Sequence, residues 1–255
     1  MARREGPLGA AAEALWRFVF PEHCVVCGVG LDVPYRYFCH GCWEELPWVG
    51  EMVCPRCGSA VPPNAAVARG CASCRGRRFG FSRAVAPLHY EGAARELVLR
   101  LKLGKEVSLA HVLGAVLANF LETGGLSRWV DLVVPVPLHW RRRMTRTFNQ
   151  AALLALEVGA RFRFPVATRL LVRTRPTQSQ TAFSALGRSL NVRGAFALAR
   201  PFLSWRGSVA GKRILLIDDV LTTGATTSEC ARVLRQGGAA DVVVATVART
   251  RWMAR

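Results

Sequence analysis

Residues 213–228 read RILLIDDVLTTGATTS. Asp218 and Asp219 are adjacent carboxylates, and such a pair can accept hydrogen bonds from two neighbouring sugar hydroxyls. Thr222, Thr223, Gly224, Ala225 and Thr226 follow as a turn of small residues leading into a helical pattern over 227–236. Successive backbone N–H groups at such a helix start point outward and attract phosphate, and Thr hydroxyls add donors where a bulkier side chain would block a ligand. The acids need a rigid support. The unbroken apolar run 214–217 supplies it as a buried strand, in the manner of a parallel sheet. GxGxxG is absent and no Gly-Lys-Ser/Thr follows, so the string is neither a dinucleotide fingerprint nor a Walker A loop.

A second constellation lies near the N-terminus. Eight of the nine cysteines form four CxxC pairs, Cys24/Cys27, Cys39/Cys42, Cys54/Cys57 and Cys71/Cys74, separated by 11, 11 and 13 residues. Two such knuckles supply the four thiolates of a tetrahedral structural zinc, so four imply two ions. A segment this short has little core of its own, and metal would provide much of its folding energy. Disulfides are the competing use, but CxxC bridges would staple nothing distant, and a redox role fits poorly with a motif that occurs four times. Gly28 and Gly58 directly follow a knuckle, which favours sequential pairing: Cys24, Cys27, Cys39 and Cys42 on one ion, Cys54, Cys57, Cys71 and Cys74 on the other. His23 and His40 are surplus to complete sets. Cys230, on the helix after the phosphate turn, reads as a small buried hydrophobe.

The remaining chain must position these groups. At 255 residues and 51% apolar composition it has room for one α/β domain and a small appendage. No run of 18 apolar residues occurs, so no membrane span is expected, and the expected location is cytoplasmic. Arg3 and Arg4 before an Ala-rich stretch imitate a signal peptide, but Glu13 and Arg17 interrupt it; an amphipathic helix over 1–20 that docks on the body is the expectation. The zinc ribbons then occupy 21–80 and the α/β domain 81–255. Charge is uneven. Residues 1–80 carry nine Arg and seven acids, whereas 81–255 carry 26 Lys plus Arg and ten acids, +16 of the net +18. That points to a polyanion, either nucleic acid or a polyphosphate. A compositional preference for Arg, which makes up 32 of the 35 basic residues, gives the same picture.

Within 81–255 the pattern predicts a strand over 83–90 and helices over 92–103, with Lys102 near its end, and 108–122. A buried strand over 130–137 ends in Pro-Val-Pro, and the basic cluster 139–146 (HWRRRMTR) leads to a helix from 149 to 158. Loops that follow a core strand and precede a helix are where α/β sheets bind ligands, and Arg suits phosphate. A short strand over 170–172 precedes the long polar stretch 173–196, read as an active-site hood. A last buried strand spans 242–247, and the basic tail 249–255 is expected to be exposed.

The acid pair and TTGAT turn resemble the phosphoribosyl-pyrophosphate (PRPP) signature of type I phosphoribosyltransferases. Taken with the CxxC knuckles, Lys102, DLVVPVPL, the RTFNQA string and the series Gln180, Arg188, Asn191 and Phe196, almost the whole chain resembles the ComF (competence protein F) family. Thr147 stands where that family's pattern has Gly. The resemblance implies a type I phosphoribosyltransferase fold, a parallel sheet flanked by helices, with a small N-terminal double zinc ribbon. It implies PRPP as ligand, with Asp218 and Asp219 at the ribose hydroxyls as the catalytic acids, together with Mg²⁺. Thr222, Thr223, Gly224, Ala225 and Thr226 would hold the 5-phosphate. The Val134–Leu138 turn, Val136 within it, would meet the pyrophosphate together with Arg143 or Arg146. Two functions follow from the resemblance: pentosyl transfer to an acceptor the sequence does not identify, linked to DNA uptake, or a non-enzymatic competence factor that binds single-stranded DNA and keeps the loop as a phosphate site. Trp140 beside Arg141–Arg143 fits the second. A competence helicase or another protein is a further partner the resemblance suggests.

Overall fold

In a computed structural model, the structure describes residues 23–31, 37–68, 70–103, 106–138, 148–175, 192–199 and 209–251. The expected helix over 1–20, the cluster 139–146 with Arg146 and Trp140, and residues 176–191 of the expected hood lie outside the described residues, as do 252–255. The chain forms two compact units, Met1–Leu46 and Pro47–Arg255. The smaller holds the first four knuckle cysteines and a short helix, α1 (His40–Glu44). The larger holds the other four cysteines and the sheet.

The sheet has five strands: β1 (Arg83–Val85), β2 (Leu88–His89), β3 (Leu132–Pro135), β6 (Arg213–Leu221) and β7 (Asp241–Arg249). All its pairs are parallel, in the order β1-β7-β6-β3, with β2 also on β7. The single strand expected over 83–90 is broken between β1 and β2, where Pro87 has no N–H to give a ladder. Three helices follow the predicted periods closely: α2 (Gly92–Lys102), α3 (Leu109–Thr123) and α4 (Gln150–Phe162). Leu97, Val98 and Leu101 are the buried stripe of α2. A two-stranded antiparallel sheet, β4 (Leu171–Arg173) with β5 (Phe196–Leu198), brackets the expected hood, and α5 (Ala225–Gln236) joins β6 to β7.

One face of the sheet, with Ile214, Leu216, Val242 and Val244, packs on Cys230, Ala231 and Leu234 of α5 and on Phe196. Residues of the other parity, Leu215, Ile217, Val243 and Ala245, turn the opposite way, where α3 and α4 cover β7, β6 and β3. Val133 pairs on one side with Leu215 and on the other with Val166. From β3 the chain therefore runs outward through α4, and from β6 it runs the other way through α5. The crossovers diverge between β3 and β6, the switch point at which open α/β sheets form a crevice beyond the strand ends.

Segment 47–60 covers the sheet edge. Val49 N–H donates to Pro87 O at 2.8 Å, His89 N–H to Pro47 O at 2.7 Å and Ala84 N–H to Arg56 O at 2.9 Å. An open edge would otherwise offer unpaired backbone groups to another chain. The end of β7 departs from expectation. Arg249, predicted to start an exposed tail, is the last residue of β7, is 1% exposed, and donates to the Cys57 carbonyl. Burial pushes the guanidinium's pKa down, and the Cys57 carbonyl and the cysteine sulfurs around it offset part of that cost.

Candidate functional site

The crevice at the ends of β3 and β6 gathers side chains from four elements. β6 runs on through the acids, so Asp218 pairs in register with Thr246 and is held on the sheet rather than on a loop. Asp219 N–H donates to Asp218 Oδ1 at 2.9 Å. Burial, then the neighbouring charge of Asp219, pushes the Asp218 carboxyl up to about 7. The folded protein thus keeps this proton far above the ordinary value of 3.8. Ionising Asp218 therefore costs stability as the pH rises between those values, and the site at neutral pH is held at the fold's expense.

Lys102, the last residue of α2, places Nζ 3.0 Å from Asp219 Oδ2. Burial disfavours its charge, but Asp219 outweighs that and the ammonium's pKa is raised. The start of α4 organises the rest. Asn149 caps the helix, accepting from Ala151 N–H at 3.1 Å, and its Nδ2 donates to Val136 O at 3.1 Å. Buried Gln150 donates from Nε2 to Lys102 O at 3.0 Å. Val136 N–H in turn donates to Ile217 O at 2.9 Å, so both backbone groups of Val136 are engaged and what this residue sets is the direction of the turn.

At the far end of β6, Gly224 is the N-cap of α5 with φ +72°, a left-handed conformation that favours glycine. It brings no side chain over the helix start. Thr227 Oγ1 and Ser228 N–H both donate to Gly224 O, at 3.2 and 2.8 Å, which fixes the turn. Thr222, Thr223, Ala225 and Thr226 line it half-buried. Directly against Gly224 lie Phe79 and Phe81, stacked at 4.6 Å between centroids. Gly80 between them donates to Ser228 Oγ at 2.8 Å and accepts from Arg235 Nε at 2.8 Å. Glu229, buried on α5, accepts from Gly194 N–H at 2.6 Å and so ties the base of the expected hood to the same helix. An anionic pair, a cation and a helix-start turn of small residues thus converge on one crevice, an arrangement able to hold a polyol bearing phosphate.

Of the predicted residues, Asp218 and Asp219 stand on β6, Val136 is hydrogen-bonded to Ile217 of the same strand, and Thr222–Thr226 form the turn that follows β6; Arg146 lies outside the described residues. Sequence reasoning assigned no role to Lys102, Asn149 and Gln150. The signal for Lys102 was its position at a helix end, and for the other two a polar pair opening an apolar helix. Cys230 is buried in the core, as expected.

The cysteines pair sequentially: Cys24, Cys27, Cys39 and Cys42 form one group, and Cys54, Cys57, Cys71 and Cys74 the other, each with its sulfurs within 4.8 Å of one another. Zinc–sulfur bonds of about 2.3 Å in a tetrahedron place sulfurs about 3.8 Å apart. Cys27–Cys39 and Cys54–Cys74 stand at 3.7 Å, Cys57–Cys71 at 3.6 Å and Cys71–Cys74 at 3.9 Å, so both groups fit zinc. His40 belongs to neither group and faces Glu44 on α1 at 3.3 Å. Among the described residues no helix is long and apolar enough to cross a membrane.

Fold and sites together define a phosphoribosyltransferase-fold protein with a double zinc ribbon. The family models agree: residues 15–76 match the double zinc ribbon domain and residues 147–252 the phosphoribosyl transferase domain. DNA utilization protein YhgH of Escherichia coli is 30% identical over 239 residues, spanning 90% of this chain and 98% of that protein. Competence protein F of Haemophilus influenzae is 27% identical over 234 residues, with the same coverage. The chain belongs to this competence protein F (ComF) family. Among solved structures it is similar to the glutamine PRPP amidotransferase of B. subtilis, at 25% identity and TM-score 0.34, over 53% of this chain and 25% of that one. The purine phosphoribosyltransferase of Pyrococcus horikoshii matches at 15% identity and TM-score 0.34, over 57% and 85%.

Proposed function

We propose that the crevice binds PRPP and that the protein transfers its phosphoribosyl group to an acceptor in the handling of DNA. The observation that carries this reading is the acid pair Asp218–Asp219 set on β6 at the switch point, one turn ahead of the Gly224 helix start. The carboxylates accept from the ribose hydroxyls, and the turn at Thr222–Thr226 receives the 5-phosphate. Mg²⁺ would be held by Asp218 and Asp219 with substrate oxygens, and when bound it supplies neutralising charge to the pyrophosphate. As the C1–oxygen bond breaks, pyrophosphate leaves with the electron pair and positive charge grows on the ribose. The carboxylates favour that charge. Gly194, just ahead of β5, is held to α5 by Glu229 at 2.6 Å.

The test is pyrophosphate release from PRPP by wild-type protein in the presence of nucleobases, nucleotides and single-stranded DNA as acceptors. Release that depends on an acceptor and is lost in Asp218→Ala/Asp219→Ala supports transfer; no release with any acceptor removes the enzyme reading. Asp218 must shed its proton to accept from the ribose hydroxyl and to ligate Mg²⁺. PRPP affinity should therefore strengthen as pH rises through about 7 and level off above it. A flat profile from about pH 6 to pH 8 would contradict the role given to Asp218.

The net charge and the names of the relatives favour a second reading, in which the same turn holds the phosphates of single-stranded DNA without transfer. That binding would weaken steeply with added salt, and a flat salt response would exclude it.

A further inference from the structure

Resting on the PRPP reading, we infer that Lys102 is a two-position cation: it holds Asp219 in the free protein and moves to the pyrophosphate when the ribose hydroxyls claim that carboxylate. Three observations lead there. First, Lys102 Nζ occupies Asp219 Oδ2 at 3.0 Å, so one of the oxygens that a ribose diol needs is already taken. A diol arriving at Asp219 must displace or share that partner. A half-buried ammonium released from Asp219 loses its closest partner, and the pyrophosphate of PRPP is an anion that replaces it.

Second, the backbone of Lys102 is tied to the turn that faces the pyrophosphate. Gln150 holds the Lys102 carbonyl at 3.0 Å, and its neighbour Asn149 holds the Val136 carbonyl at 3.1 Å. Two successive residues at the start of α4 thus fix both the origin of the lysine side chain and the start of the β3 turn. Third, the flexible four-carbon stem and compact charge of lysine suit a group that changes partner, where the planar fork of arginine suits one that stays. At 29% exposure the Lys102 side chain is partly screened from bulk water.

In the transfer step the bond between C1 and the pyrophosphate oxygen breaks with its electron pair going to pyrophosphate, while the acceptor's lone pair forms the new bond to C1 and the acceptor's proton passes to solvent. Lys102 stays protonated throughout and transfers no proton. It balances the charge that develops on the leaving group, while Asp219, freed from the ion pair, faces the ribose.

The exchange makes an asymmetric prediction, because a lysine that competes for the ribose carboxylate and assists the pyrophosphate affects the two halves of the ligand oppositely. Inorganic pyrophosphate with Mg²⁺, and ribose 5-phosphate separately, are titrated into wild type, Lys102→Met and Lys102→Arg, with thermal unfolding of each variant as the folding control. In Lys102→Met, pyrophosphate affinity should fall at least tenfold while ribose 5-phosphate affinity holds or rises; Lys102→Arg, whose fork favours staying on Asp219, should recover only a minor part of the pyrophosphate affinity. Equal losses for both ligands, or unchanged pyrophosphate affinity, would overturn the exchange and leave Lys102 as a fixed partner of Asp219. Failure of the wild type to bind PRPP, pyrophosphate or ribose 5-phosphate would overturn the PRPP reading itself, before any variant is considered. The chain has only three lysines, Lys102, Lys105 and Lys212, so ¹⁵N-lysine spectra of the wild type give an independent readout. The Lys102 ammonium signal should move with pyrophosphate; a signal that responds only to ribose 5-phosphate contradicts the exchange.

Discussion

The two cysteine clusters share one local design and differ in what surrounds it. In each, the first cysteine's N–H donates to a residue five positions on, Cys24 to Val29 O and Cys54 to Ser59 O, both at 2.8 Å. In each, the glycine after the CxxC closes the turn with positive φ, Gly28 at +76° and Gly58 at +66°, and an antiparallel bridge follows, His23 with Gly30 and Val53 with Ala60. Around them the likeness ends. Cys27 is exposed and Cys39 and Cys42 half-buried, while Cys54, Cys57, Cys71 and Cys74 are all buried. A side chain at Gly28 would meet nothing, whereas at Gly58 it would lie 2.5 Å from the Ala84 carbonyl of β1. The second cluster also receives Arg249 from the end of β7, and Phe79, which packs on it, leads into the Phe79–Phe81 stack under Gly224. One sequence motif, used twice, thus makes a more exposed knuckle pair in the smaller unit and a buried part of the sheet-bearing unit in the larger.

This difference can be broken by mutation, most forcefully at the metals. Structural zinc contributes on the order of 10 kcal/mol to folding, comparable to the stability of a whole domain. Cys54→Ser/Cys57→Ser should therefore abolish the cooperative melt of the 47–255 unit in calorimetry. Cys24→Ser/Cys27→Ser should lower zinc from two ions per chain to one and leave that transition in place. Equal melting behaviour for the two variants would show that the clusters are equivalent after all.

Arg249→Met is the next largest expected effect. It removes the buried charge and its bond to Cys57 and leaves the sulfur charge without its partner, which should cost about 3 kcal/mol in denaturant unfolding. A loss under about 1 kcal/mol would mean that the sheet and the second cluster are not coupled through this residue. The finest comparison is between the glycines. Gly28→Ala pays only for a left-handed backbone, about 1 kcal/mol, whereas Gly58→Ala adds the clash with Ala84 and should cost about 2–3 kcal/mol. Similar costs at both positions would remove the close approach from the account.

Much of this architecture is legible in the chain, because its signals are local. The β6 run, the acids and the turn at Gly224 are contiguous, and the four CxxC pairs carry their metal geometry in their spacing. Helices α2, α3 and α4 follow the apolar period. The parts that escaped are those set by distant partners. Arg249 reads as the start of a polar tail because its anionic neighbours are about 190 residues away in the chain, at Cys57. Lys102 reads as a helix-end cation, and only the fold, which packs α2 on α3 and β2, brings its end to Asp219. Asn149 and Gln150 look like a helix start, and their long-range roles, holding Val136 and Lys102, depend on the crossover that brings α4 beside both. Pro87 was visible, yet the apolar residues around it suggested one strand where the backbone makes two.

The proposed activity requires the crevice between β3 and β6 to be a PRPP site within a zinc-replete fold. Isothermal titration of PRPP with Mg²⁺ into protein carrying two zinc ions tests this most directly. One saturable site per chain is predicted, lost in Asp218→Ala/Asp219→Ala while the variant remains folded. Absence of saturable binding in the wild type, or binding that survives loss of both acids, would contradict it.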